Sequence, residues 1–465
     1  MVFASLIFLY VFLPANLLLY YGLRGLELRN RLLIAVSLLF YAWGEPLWIF
    51  LLLLSSAVNW AHGLWAQRAR GTATARLALV SACVINLGLL IACKYAAFLA
   101  ETLGLILATP LTVPGFALPI GISFYTFQAL SYVVDVHRGE VAAQRSWPKF
   151  LLYLSLYHQL IAGPIVRYTH VAAAIDRREH TVADFSAGVT RFSVGLFKKV
   201  CIANVAGQLV ARYMQVDPAQ LSLPEAWFGL SMFTLQIYFD FSAYSDMAIG
   251  LGRMFGFRYH ENFDHPYVAR SATEFWRRWH ISLGTFFRDY VYIPLGGNRH
   301  RPYRNLFIVW GLTGLWHGAH WNYVLWGLYF AVLIALERLF LQRVLAAVPR
   351  LFGHVYLLFA VVVGWALFYF EDLDRLGAYL HRLFDPGPAL TGGPTLLGVV
   401  VREHCLWLIL ALVMCLPVVP WLRARFPGLA DRVAPLVPLI NLGALLLATA
   451  MLVGKTFNPF LYFRF

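Results

Sequence analysis

Charge is scarce in this chain, and cysteine scarcer. Only 13% of its 465 residues are Asp, Glu, Lys or Arg, against 60% hydrophobic and 16% aromatic, a balance that excludes an ordinary soluble globular domain. The five cysteines, Cys83, Cys93, Cys201, Cys405 and Cys415, lie apart, within or beside apolar stretches. They match neither a disulfide framework nor a zinc site, so no metal is expected. A phosphate-binding glycine loop, a dinucleotide fingerprint, tandem repeats and a low-complexity tail are also missing. Met1-Val-Phe-Ala-Ser lacks the basic opening of a secretory signal, so the first hydrophobic stretch is expected to persist as a helix.

What is present is apolar sequence in long runs, with a mean hydropathy of +0.66. A hydrocarbon core of about 30 Å takes about 20 apolar residues per helix. That reading gives about eleven spans: roughly residues 2–21, 31–43, 46–66, 76–93, 117–134, 186–212, 225–250, 303–343 in one or two pieces, 353–370, 403–420 and 436–453. The expected fold is an all-α polytopic membrane protein with re-entrant or interfacial helices around a central tunnel, one domain over 1–465 and densest in motifs over 117–327. The excess of basic residues, 37 Lys and Arg against 23 Asp and Glu, sits in short loops and not in one stripe, which points to membrane topology and lipid and not to nucleic acid. Arg24, Arg29 and Arg31 fill the first loop and Arg68, Arg70 and Arg76 the third, whereas Gly44-Glu45-Pro46 carries no positive charge. The positive-inside bias then puts the amino terminus outside.

The unusual residue is His317. It lies in Gly314-Leu-Trp-His-Gly-Ala-His320, with no carboxylate or lysine within ten residues on either side, and an ionisable group at membrane depth is by default a functional candidate. Imidazole titrates near neutral pH, and acyl transfer to a hydroxyl or thiol needs a group that takes the nucleophile's proton. Burial disfavours the charged form of an imidazole and so suits a proton acceptor. His320, three residues on, reads as an access or supporting residue.

Upstream, Ser271 to Tyr290 opens with a Ser-x-x-Glu capping box and runs without proline, so it is expected to be one helix. Its Arg277, Arg278, His280 and Arg288 make it too charged to span a membrane; it either lies at the interface or dips inward. The Leu295-Gly-Gly-Asn-Arg299 turn that follows offers cations to an anionic group. Asp240 and Asp246, inside an apolar run, must turn away from lipid. Six residues apart, they do not share a helix face, which argues against a paired acid and base; Arg277 or Arg278 are their expected partners, and a lining role comes second. Asn262, Arg167 and Asn298 read as structural before catalytic.

Together these blocks resemble the membrane-bound O-acyltransferases, and among them the bacterial branch that acts on cell-surface polymers. The resemblance rests on Leu118-Pro-Ile-Gly-Ile-Ser-Phe-Tyr-Thr-Phe127, Leu160-Ile-Ala-Gly-Pro-Ile-Val-Arg167 and Gln236 to Gly250. It continues through Glu261-Asn-Phe263 with Pro266-Tyr267, Glu274 to Tyr290, Leu295 to Arg299, Gly314-Leu-Trp-His-Gly318 and the terminal Phe457 to Phe465, in the family's order. It implies that His317 is catalytic and that His280 is the second polar residue of the site; beside them, Trp316, His320, Arg277, Arg278, Asn298, Asp240 and Asp246 are the candidate substrate-binding or tunnel-lining residues.

The expected function is transfer of an acyl group, acetyl in the first instance, from a cytoplasmic thioester donor across a bacterial inner membrane for O-acetylation of an exported or cell-wall polysaccharide. No tightly bound cofactor is expected. The donor would be acetyl-CoA or an acyl-carrier thioester, and the resemblance alone implies a periplasmic esterase-like acetyltransferase partner. Two alternatives stand beside it: an acyl or proton-coupled transporter, which should show paired halves with matching helix breaks that this chain lacks, and a lipid O-acyltransferase with a long-chain donor.

Overall fold

The computed structural model describes residues 1–111, 113, 118–161, 163–385, 396–454 and 461. Within them the chain is helical, with no strand. The first helices are α1 (Leu13–Gly22), α2 (Leu26–Gly44), α3 (Ile49–Arg68), α4 (Ala73–Leu90), α5 (Ala96–Leu107), α6 (Ile122–Arg138), α7 (Trp147–Ser155), α8 (Tyr157–Leu160) and α9 (Tyr168–Asp176). Then come α10 (Val182–Phe197), α11 (Asn204–Met214), α12 (Leu223–Met254), α13 (Ala272–Arg278), α14 (Ile281–Phe287), α15 (Pro302–His317), α16 (Trp321–Leu336), α17 (Gln342–Ala347) and α18 (Arg350–Tyr369). The last are α19 (Leu373–Arg382), α20 (Leu396–Glu403), α21 (Cys405–Cys415), α22 (Val418–Arg425), α23 (Leu429–Val433) and α24 (Val437–Leu452).

All-helical construction follows from the solvent: in a bilayer every backbone N–H and C=O must be satisfied internally, and a helix does this within one segment. Among the described residues, six helical runs are long and apolar enough to cross: Ile49–Arg68, Ala73–Leu107, Val182–Met214, Trp321–Ala347, Arg350–Tyr369 and Asp431–Leu452. The pair Leu397–Glu403 and Cys405–Cys415, bent by 69°, makes a seventh if it is one span. The chain is a polytopic membrane protein, but this count is lower than the expected eleven. Part of the difference is length, since α6 and α15 are only 17 and 16 residues long.

The chain divides into two compact units, one of residues 1–192 and 244–261, the other of 193–243 and 262–465. In the first, α3, α4 and α6 pack together. Asn59 of α3 and Asn86 of α4 exchange amide hydrogen bonds of 2.9 and 2.8 Å, the polar pairing that holds helices together where lipid removes the hydrophobic drive. Asp246 is buried in this unit and accepts from Nε of Arg191 at 2.8 Å; Arg191 also pairs with Glu261. Its partner is therefore α10, and not the expected Arg277 or Arg278.

The second unit is built on the α15–α16 hairpin, with α13 and α18 against α16. A Cβ on Gly314 would collide with the Tyr323 carbonyl, and one on Gly327 with that of Trp310, so glycine is what lets these two helices touch backbone to backbone. Asp240, also expected to meet Arg277 or Arg278, instead pairs with buried Lys199 at 2.5 Å and accepts from the Leu461 amide at 2.8 Å. Lys199 and Glu337, both buried, each lie in a π-turn of five or six residues, a widening that re-aims a side chain within a helix. The rest of the terminal Phe457 to Phe465 block, and Ala162 of the Leu160 to Arg167 block, fall outside the described residues.

Candidate active site

His317 is the last residue of α15 and is 4% exposed. Its ring meets Trp316, Trp326 and Phe368 at centroid distances of 4.9, 5.0 and 5.2 Å, each at a steep angle. The helix stops there because Gly318 turns extended, at φ −164° and ψ 156°. A Cβ at Gly318 would run into the Tyr323 ring, so the turn into α16 accepts only glycine without displacement. Three aromatic faces and a fixed helix end together hold the imidazole in one place.

The segment expected to be one helix from Ser271 to Tyr290 is broken. Its start is as read, with Ser271 Oγ accepting from the Glu274 amide at 3.1 Å. The carboxylate of Glu274 returns to the Arg270 amide at 3.0 Å and binds Arg278. The helix then ends at Arg278, and His280 takes the left-handed conformation, φ 46° and ψ 53°, before α14 begins. A left-handed non-glycine residue is strained and persists only where its surroundings over-determine it.

Asn262 supplies that constraint. Its Oδ1 lies 3.2 Å from His280 Nδ1 and accepts from the Ser282 amide at 3.1 Å and from Ser282 Oγ at 2.9 Å; its carbonyl accepts from the Ile281 amide at 3.0 Å. Because Oδ1 can only accept, His280 Nδ1 carries the proton, which leaves Nε2 as the basic nitrogen of the neutral ring. His280 is 1% exposed, lies outside the spanning helices, and is pushed down by burial to a pKa of about 3. It is therefore neutral at physiological pH.

Trp316 joins the two histidines. Its indole is 4.9 Å from the His317 ring and 5.8 Å from that of His280, which also meets the Phe241 ring at 4.6 Å. The structure thus brings His317, His280 and Trp316 into one aromatic-walled cluster. His320 is not part of it: it caps α16 with its side chain 54% exposed and its Nε2 4.0 Å from Glu371. Arg278 is held by Asp264 at 2.9 Å and Glu274 at 3.1 Å. Asp240 and Asp246 are engaged by Lys199 and Arg191 as described above.

Arg277 and Asn298 come together elsewhere in the unit. With Thr273, Tyr303, Arg338 and Gln342 they line a polar cavity of about 350 Å³ at the amino-terminal end of α15. Sequence reading passed over Arg338, which comes from beyond the far end of α16, and Phe241, Trp326 and Phe368, which look like ordinary core in any apolar run. Asn262 it read as structural. The only sequence signal for these was the density of Trp around residues 276–326.

The chain matches the model of the membrane-bound O-acyltransferase family over residues 49–378. It is 42% identical to a probable alginate O-acetylase AlgI of Azotobacter vinelandii, over 83% of this chain and 79% of that one. It is 30% identical to a peptidoglycan O-acetyltransferase of Helicobacter pylori, over 80% and 78%. A teichoic acid D-alanyltransferase of Bacillus subtilis is 25% identical over 48% of this chain and 59% of its own length. A family model matched across most of the chain, joined to relatives aligned over three quarters or more of both lengths, means that this protein belongs to the membrane-bound O-acyltransferases and is an O-acyltransferase.

Proposed function

We propose that this protein moves an acetyl group from a cytoplasmic thioester donor across the bacterial inner membrane for O-acetylation of an exported or cell-wall polysaccharide, with His317 as general base. The observation that carries the reading is His317 itself, enclosed by Trp316, Trp326 and Phe368, with the His280 ring also against Trp316. A positioned base contributes roughly 10² to 10⁴ in rate, and a water-poor aromatic wall strengthens each electrostatic contact inside it. In the step we assign to it, His317 takes the proton of the acceptor hydroxyl as that oxygen attacks the thioester carbonyl. The C–S bond then breaks, and the leaving thiolate takes the proton back from His317, which restores the neutral base. His280, its Nδ1 proton fixed by Asn262, presents Nε2 as a second polar group of the site.

The acetyl group and the polymer acceptor are favoured by the relatives, which include an alginate and a peptidoglycan O-acetyltransferase. Acetyl-CoA or an acyl-carrier thioester is the donor in this reading, and the attacking hydroxyl belongs either to the polymer itself or to a periplasmic esterase-like acetyltransferase that passes the acyl group on. The amino terminus lies on the periplasmic side, as the first and third loops imply. The test is polymer acetylation in cells carrying His317→Ala at equal membrane expression. Acetylation should fall at least a hundredfold, and retained acetylation would remove His317 from the chemistry.

A further inference from the structure

The first compact unit holds a group of cations that the chemistry at His317 does not use. Where α1 ends, the Arg29 guanidinium lies 5.2 Å from the Tyr20 ring centre and 5.8 Å from that of Tyr21. Arg178, from the loop after α9, lies 5.8 Å from the same Tyr20 ring and 4.4 Å from that of Phe257. His180 Nε2 is 2.8 Å from Tyr20 Oη. The end of α12 closes the group: Tyr21 Oη donates to the Met254 carbonyl at 2.6 Å, and a Cβ at Gly256 would crowd His180 Nε2 and Arg178 Cδ. Two guanidinium groups and an imidazole thus surround one buried phenol.

Neither arginine forms an ion pair among the described residues, and the two are near enough to repel each other. In the adjoining segments Glu27 pairs with Arg31 at 3.3 Å, Asp184 with Arg258 at 2.9 Å and Asp176 with Lys149 at 2.6 Å, and Glu179 is exposed. Arg178 gives Nη2 to Asn30 Oδ1 at 2.5 Å, whereas Arg29 gives Nε to the Leu23 carbonyl at 3.1 Å and finds no acceptor for its Nη groups among the described residues. Burial first, and then the charges of Arg29 and Arg178, hold His180 below the ordinary imidazole range. Like charges gathered without a counter-ion are unfavourable. A phosphate ester relieves them through the paired, charge-assisted hydrogen bonds that guanidinium makes.

The surroundings select the kind of phosphate. Phe8–Gly22 is an apolar helical run, and near its end Leu18 and Leu19 are 76% and 56% exposed, as residues that meet lipid chains are. Headgroup phosphates lie where such a helix leaves the hydrocarbon. Arg24 follows α1, Arg177 follows α9 and Arg253 lies in the last turn of α12, so further cations stand at this end, which the positive-inside bias makes cytoplasmic. Basic clusters just inside a membrane helix attract anionic lipid. We propose that Arg29 and Arg178, set about Tyr20, bind the phosphate of an anionic phospholipid where α1 meets the cytoplasmic leaflet. Only the choice of leaflet rests on the topology given above; the binding itself does not depend on acyl transfer.

The experiment titrates short-chain phosphatidylglycerol into the full-length protein in neutral detergent by calorimetry, beside phosphatidylcholine of the same chain length, whose choline offsets its phosphate, and chain-free glycerol phosphate. Wild type should prefer phosphatidylglycerol to each by about tenfold or more. The preference over phosphatidylcholine should fall about fivefold, or ~1 kcal/mol, in Arg29→Gln and in Arg178→Gln and be kept in Arg29→Lys. Arg24→Gln removes an exposed arginine of the same loop from outside the cluster and should bind like wild type. Should Arg178→Gln fail to fold, Arg29→Gln and the lipid preference of wild type still decide. Equal binding of the two lipids by wild type, glycerol phosphate as tight as phosphatidylglycerol, or the same loss in Arg24→Gln as in Arg29→Gln overturns the proposal. His317→Ala should bind the lipid as wild type does, so failure of the acyl-transfer reading would leave this site standing.

Discussion

Oδ1 of Asn262 and Nδ1 of His280 lie 3.2 Å apart, and the same Oδ1 holds the amide and hydroxyl of Ser282. One side-chain oxygen thus fixes both the tautomer of the buried imidazole and the left-handed corner between α13 and α14. Asn262→Ala should leave these donors without their acceptor, at about 1–3 kcal/mol for a buried unsatisfied group. A lower melting temperature in detergent and at least a tenfold loss of acetylation are expected; a melting curve identical to wild type would contradict the role given to Asn262.

Burial pushes His280 down to about 3, against an ordinary value of about 6.5. Between those two values the unfolded chain binds a proton at this position that the folded chain does not, so stability rises with pH. The contribution is complete above about pH 6.5 and is lost progressively as pH falls towards 3. Melting temperatures of wild type and His280→Gln, followed from about pH 7.5 down to about 5, should converge on acidification; parallel curves would show that His280 titrates normally.

The two histidines of the Gly314 to His320 run should behave differently. His317→Gln is expected to lower transfer by about 10² or more, because the proton acceptor is lost while the volume is kept. His320 is half exposed beside Glu371, and a surface substitution away from special features changes stability by no more than about 0.5 kcal/mol. His320→Ala should therefore melt like wild type, and acetylation assayed at matched expression should separate the two variants clearly.

Lys199 and Asp240 form a buried pair at 2.5 Å, one residue before the Phe241 ring that rests on His280. Removing one charge strands the other, at about 3–5 kcal/mol, whereas replacing both by apolar residues is often neutral. Lys199→Met and Asp240→Leu should each express poorly and melt early, and the double variant should recover much of the loss. A double-mutant cycle that came out additive would show that the pair is not coupled.

Gly318→Ala introduces a Cβ into the space of the Tyr323 ring. Its backbone is extended, so the cost is steric and not conformational, about 1–3 kcal/mol for overpacking. Gly318 directly follows His317, so a turn pushed away from Tyr323 carries the imidazole with it, and activity should fall further than the melting temperature alone explains. Measuring kcat at temperatures well below the melting point distinguishes the two effects.

Much of this was legible in advance because it depends on neighbours along the chain. The Ser271 cap and its amide bond to Glu274 follow from a four-residue pattern, and His317 stood out because an imidazole is so unlike the apolar run around it. The break at His280 was not legible: neither proline nor glycine marks it, and its strain is sustained by Asn262, eighteen residues upstream. The partners of Asp240 and Asp246 were misread for a related reason. The sequence showed that both had to turn from lipid, but their cations, Lys199 and Arg191, come from α10 and the π-turn after it, dozens of residues away.

By itself the sequence determined a helical membrane protein, its motif order and the identity of its most unusual histidine, because hydropathy, backbone satisfaction in lipid and local capping act over short stretches of chain. Tertiary structure alone decided that the rings of His317 and His280 both pack on Trp316, that Arg277 and Arg338 line one cavity, and that His320 stays at the surface. Those outcomes depend on which helices approach each other and how closely, and that is fixed by glycines such as Gly314 and Gly327 and by long-range hydrogen bonds, not by any local pattern.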